Sequence, residues 1–130
     1  MLSHLSFGVS DLQRSAKFYD ATLAPLGFVR AFEKGERAVG YAPPGTPESD
    51  DKFALLARGS EARAPGAGFH LAFDAPSREA VDAFHAAALK AGGTSDGAPG
   101  KRREYSENYY AAFIRDPDGN KIEAVTFLNA

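Results

Sequence analysis

Three side chains in this 130-residue sequence have types suited to binding a metal or a polar ligand: His4, His70 and Glu123. His4 stands in "SHLSFGV" and His70 in "GFHLAFD", and a shift of 66 positions lays one on the other. The same shift superposes Leu5 on Leu71, Phe7 on Phe73, Phe18 on Phe84 and Gly27 on Gly93. A lone strand histidine is usually an ordinary core or surface residue; its repetition at one facing argues for a joint role. Ser6 and Gly8, and likewise Ala72, leave the space beside each imidazole open, which points to a shared cavity. Glu123 lies between Ile122 and Ala124, where an unpartnered carboxylate costs several kcal/mol, so it needs a cation or donors. Two imidazoles and a carboxylate suit a divalent ion with open positions, and Fe, Mn, Ni, Co and Zn all accept such ligands. The bland alternative is that Glu123 pairs with a nearby Arg or Lys. His85, beside the apolar stripe of a helix, reads as structural.

The elements that carry these residues follow from periodicity. From Leu2 to Val9 the chain alternates, with Leu5, Phe7 and Val9 on one face and His4, Ser6 and Gly8 on the other, as a strand requires. Ser10 and Gln13 have capping-box spacing, and Leu12, Ala16, Tyr19 and Leu23 form a helical stripe that stops at Pro25 and Gly27. Short strands are expected at Phe28–Phe32, Ala38–Tyr41 and Phe53–Ala57. The pattern then restarts: a strand in "GFHLAFDAP", Ser77 as cap, and a helical stripe of Val81, Phe84, Ala88 and Leu89 ending at Gly92 and Gly93. Tyr109–Arg115 and Lys121–Phe127 form a hairpin across the "DPDGN" turn. The fold class is therefore α+β, in two tandem strand-helix-strands modules, 1–57 and 68–130, joined by a linker at 58–67. Neither half is large enough to close a core alone.

Composition narrows the function. Fifteen basic and seventeen acidic residues give a net charge of -2, which offers no electrostatic footprint for nucleic acid or an anionic membrane. With no cysteine, disulfides, thiolate metal sites and cysteine nucleophiles are excluded, and the chain suits a reducing cytoplasm. The N-terminal "MLSHLSFG" lacks the pattern of a signal peptide, so the expected location is cytoplasmic. "GAPGKR" lacks P-loop spacing, "GAGFHL" lacks the dinucleotide glycines, and no nucleophile elbow occurs.

The tandem modules, the opening "HLSFGVSDLQRSAKFYDATLAPLGF", the second "FHLAFDAPSREAVDAFHAAALKAGG" and the closing "YYAAFIRDPDGNKIEAV" resemble the vicinal oxygen chelate superfamily. This is the glyoxalase, bleomycin-resistance and dioxygenase group. The resemblance implies paired βαβββ modules forming an incomplete barrel around a central cavity. It places metal ligands at His4, His70 and Glu123, and it implies a homodimer, in some members with modules exchanged between chains. Many glyoxalase-type members carry a fourth ligand on the last strand of the first module. Aligning "DKFALLA" with "NKIEAVT" puts Ala54 there, so the resemblance implies three protein ligands or a site that has lost its metal, and it weakens a glyoxalase I assignment.

The segment "PGKRREYSENYYAAF" gathers Lys101, Arg102, Arg103, Tyr105, Tyr109 and Tyr110 ahead of the last hairpin strands. Folded over the cavity, Arg103 would hold a carboxylate or phosphate of a small-molecule substrate, and Tyr105, Tyr109 or Tyr110 would donate to a developing oxyanion. Tyr41 and Phe53 are candidates for the opposite wall. No catalytic acid or base is designated. Two functions remain: a divalent-metal enzyme with isomerase, lyase, thiol-transferase or oxygenase chemistry, or a metal-free small-molecule binder of the bleomycin-resistance type.

Overall fold

The computed structural model describes residues 1–128. The first module runs β1 (Leu5–Val9), α1 (Leu12–Leu23), β2 (Val29–Lys34), β3 (Ala38–Ala42) and β4 (Phe53–Ala57). The second runs β5 (Leu71–Asp74), α2 (Arg78–Lys90), β6 (Thr94–Lys101), β7 (Tyr110–Arg115) and β8 (Lys121–Thr126). Each module forms one open four-stranded sheet, ordered β1-β4-β3-β2 and β5-β8-β7-β6. The first strand of each lies parallel to the last, and the other pairings are antiparallel. The strand-helix-strands repeat is thus present twice, and neither sheet closes into a barrel.

Most elements fall where periodicity puts them, and the departures have local causes. α1 is capped by Asp11, which accepts from the Arg14 N–H; Ser10 is diverted to another bond, described below. Ser77 does cap α2, through the Ala80 N–H. Leu89 is exposed although it continues the apolar spacing, because the buried stripe of α2 is Ala80, Val81, Phe84 and Ala88. β6 has no apolar alternation: its sequence TSDGAPGK is polar and its pairing with β7 is interrupted twice by register shifts.

Both helices and one face of each sheet enclose a single core. Phe7, Phe18, Tyr19, Tyr41, Phe53, Phe73, Phe84, Ile114 and Ile122 belong to it, so residues of both modules are buried together. Phe53 stands edge-on to both Phe7 and Phe73, at 5.1 and 5.5 Å between ring centres. α1 also meets the second module at Gly93, where a methyl group would lie 2.7 Å from the Phe18 ring.

Polar groups fasten the same seam. The Tyr19 hydroxyl donates to Asp116 Oδ2 (2.6 Å) inside the core, and the Asn120 side chain donates to the same oxygen (2.9 Å). At the surface, the Ser10 N–H and hydroxyl and the Arg14 guanidinium all donate to Asp118. The "DPDGN" turn of the second module thereby grips the start of α1. No helix among the described residues is long and apolar enough to cross a membrane.

Candidate metal centre

β8 alternates between the two sides of its sheet. Ile122 and Ala124 enter the shared core, whereas Glu123 faces the opposite side with Val125, which packs beside Ala111 and Phe113. Across this outer face the register runs Ala72–Glu123–Phe113–Gly97. The corresponding row of the first sheet is Ser6–Ala54–Gly40–Phe32. Each row includes one phenylalanine beside a glycine: a Cβ on Gly40 would lie 2.1 Å from the Phe32 ring, and one on Gly97 would lie 2.9 Å from Phe113.

Glu123 is fully buried, and both of its oxygens are engaged. His70, directly before β5, donates from Nε2 to Oε1 at 2.8 Å, and the Tyr109 hydroxyl donates to Oε2. These two bonds account for a carboxylate with no water around it. The His70 side chain is 40% exposed, so the pair reaches the surface through its imidazole. Burial, followed by the bond to Glu123, pushes the Tyr109 hydroxyl well above the ordinary tyrosine value and keeps it a donor.

Phe113 floors this face, with its ring centre 6.0 Å from that of His70. Two cations flank the ring, Arg102 at 5.4 Å and Lys121 at 5.2 Å from its centre. Neither was singled out from the sequence as a site residue. Lys121 was detectable, because it stands two residues before Glu123 on a strand and so shares its face; Arg102 depends on β6, which left no periodic signal.

The other predicted site residues scatter. His4 lies just ahead of β1 in a separate cavity of about 370 Å³, lined also by Leu5, Phe28, Leu71 and Asp74. Among the described residues no three His, Cys, Asp or Glu side chains converge to hold a metal ion. One chain therefore assembles His70 with Glu123 and leaves His4 apart. Arg103 is exposed, lining a pocket with Lys101, Glu107 and Asn108. Tyr105, also exposed, packs edge-on against Tyr109 at 5.0 Å.

Tyr110 turns the other way: its hydroxyl donates to Asp82 of α2 (2.7 Å), under the Arg78 guanidinium. Tyr41 and Phe53 are register partners on the helix-facing side of the first sheet and do not form a wall of the His70–Glu123 face. The Tyr41 hydroxyl donates to Asp20 Oδ1 (2.8 Å), with the Ala16 carbonyl 3.1 Å away, and Phe53 lines the cavity that holds His4. His85, on α2, has Nε2 2.8 Å from the Ser95 hydroxyl, and burial lowers its basicity.

Ala54 lines up as the sequence alignment placed it. It pairs with Ser6, two residues after His4, just as Glu123 pairs with Ala72, two residues after His70.

Comparison with known proteins places these features. A family model described as the Glyoxalase/Bleomycin resistance protein/Dioxygenase superfamily matches residues 1–124. A solved glyoxalase/bleomycin resistance protein from Albidiferax ferrireducens T118 is 40% identical, with a TM-score of 0.79 over 96% of this chain and 97% of that one. The metallothiol transferase FosB of Shouchella clausii (strain KSM-K16) is 27% identical over 96% of this chain and 79% of its own length. The fosfomycin resistance protein FosX from Mesorhizobium loti shares the fold, with a TM-score of 0.66 at 19% identity over 97% of this chain and 91% of that one.

Proposed function

Because the chain belongs to the glyoxalase/bleomycin resistance protein/dioxygenase superfamily, we propose that it is a divalent-metal-dependent enzyme acting on neighbouring oxygens of a small substrate. In this reading His70 and Glu123 are two ligands from one chain, and His4 is the third, supplied by a second copy in a homodimer. The observation that carries the reading is the contact between His70 Nε2 and Glu123 Oε1 on the outer face of an open sheet. The donor set fits such an ion: one imidazole nitrogen and one carboxylate oxygen, already adjacent. Fe, Mn, Ni, Co or Zn bound there would act as a Lewis acid toward the substrate oxygens.

The surrounding side chains have definable work. Tyr109 occupies Oε2 and so directs Glu123 toward a ligand through Oε1 alone. Phe113 keeps water from the floor, and Arg102 at its edge provides a positive group for an anionic substrate. The FosB relative, described as a metallothiol transferase, supports group-transfer chemistry over the other reactions of the superfamily. The absent carboxylate at Ala54 supports the same preference over glyoxalase I chemistry.

A second reading has its own observation. His70 and Tyr109 already satisfy both oxygens of Glu123, an arrangement equally suited to a metal-free cavity that sequesters a small molecule. The two separate on metal content. Purified without chelator and reloaded with Fe, Mn, Ni, Co and Zn in turn, a metal-dependent enzyme should hold about one ion per chain, lost in His4→Ala, His70→Ala and Glu123→Ala. A wild-type protein that retains and reloads no ion would leave the binding protein standing instead.

A further inference from the structure

Beside His70 lies a second, polar cavity of about 200 Å³, formed by the segment from Pro65 to Phe69, His70 itself, Arg115 and Lys121. Arg115 ends β7 and Lys121 begins β8, and the two are direct partners across the ladder. Like charges placed opposite one another destabilise a sheet unless something offsets them. The nearest offset is Asp96, 3.1 Å from Arg115 Nε and 3.4 Å from Lys121 Nζ. Asp96 is thus shared between two cations, and Glu123, on the same face two residues from Lys121, is taken up by His70 and Tyr109, which leaves both cations only partly paired. Arg115 Nη1 is occupied by the Gly119 carbonyl (3.1 Å), and Nη2 has no protein partner among the described residues. Gly68, also in the lining, takes a left-handed conformation (φ 94°).

We propose that this cavity is an anion subsite that takes the carboxylate or phosphate end of a small substrate, with Arg115 and Lys121 as its clamp. The proposal rests on the reading of His70 and Glu123 as the reacting end of the site, because His70 forms a wall of both. The substrate class is then a small acid with its reacting oxygens a few bonds from the anionic group.

The test uses the intact chain, stripped with EDTA so that no ion at His70 can capture the probe, and titrated separately with inorganic phosphate and with acetate. Binding is read from the amide signals of Gly66 and Gly68 and the Arg115 Nε–H signal in nuclear magnetic resonance spectra. Saturable shifts are expected with at least one probe, and which probe responds assigns phosphate or carboxylate. Arg115→Gln and Lys121→Gln should each weaken binding about tenfold, the scale of one charge-assisted hydrogen bond. Asp96→Asn removes the competing carboxylate and should tighten it. That opposite sign separates a binding role from a merely structural one, since all three changes would only loosen a structural ion-pair cluster. Absence of saturable shifts in the wild type, or unchanged affinity in Asp96→Asn, overturns the subsite. Anion binding in a protein that takes up no metal refutes the metal reading alone; metal uptake without anion shifts refutes the subsite alone.

Discussion

Ala54 stands in the first sheet where Glu123 stands in the second, each beside the residue two positions after its module's histidine. Glu123 is tolerated because His70 and Tyr109 hold both oxygens; Ala54 is also buried but lies beside Ser6 and Gly40. A carboxylate introduced at Ala54 would be buried without a matching pair of donors. Ala54→Glu should lower unfolding stability by on the order of 3 kcal/mol, measured by urea denaturation. A neutral result would mean that the first sheet retains a working carboxylate pocket.

Tyr109→Phe removes the donor to Oε2 while keeping the ring against Tyr105 and Phe127. If Glu123 is a ligand, freeing its second oxygen should reduce metal affinity roughly 10–100-fold. Competition with a chromophoric chelator reads this directly, without any need for a substrate. Wild-type affinity in the variant would remove Tyr109 from the site.

The Tyr19 hydroxyl is the buried polar link between modules. Tyr19→Phe leaves Asp116 with the Asn120 side chain and the Asp118 and Asn120 N–H groups but strips one bond from Oδ2. A loss of about 1–3 kcal/mol is expected. Because the link joins both halves, circular dichroism and tyrosine fluorescence should report one coincident, shifted transition; two separated transitions would contradict a shared core.

Alkaline stability follows from the same tyrosines. Burial, ahead of the bonds to Asp116 and Asp20, holds the Tyr19 and Tyr41 hydroxyls well above their ordinary value. The unfolded chain releases those protons near pH 10, where the folded chain keeps them. Their contribution is therefore complete below about pH 10 and is lost as pH rises beyond it, at roughly 1.4 kcal/mol per pH unit for each group. Tyr41→Phe should flatten the fall in stability measured between about pH 9 and 11; an unchanged slope would exclude Tyr41 as a cause.

The repeat, both helices and the need of Glu123 for a polar partner were legible because they rest on short-range periodicity and on the desolvation of one carboxylate. β6 was not legible, because an edge strand with two register shifts needs no apolar alternation. Ser10 misled for a different reason: its capping spacing is real, but Asp118, far along the chain, competes for the same hydroxyl. Arg102 was not singled out, for a similar reason, since which of two adjacent arginines reaches Phe113 depends on the path of β6. The side of the sheet taken by Tyr41 was set by its bond to Asp20 and its packing under α1, neither of which spacing reveals.

Gly93 distinguishes the second half from the first. Its repeat counterpart, Gly27, takes a left-handed turn with open space around its missing side chain, whereas Gly93 is pressed between Phe18, Ala88 and Arg115. The two halves follow the same pattern but are complementary in shape. They are similar parts that do not interchange, so a tandem duplication of either half would not rebuild the seam, and recombination between relatives would have to carry Phe18 and Gly93 together.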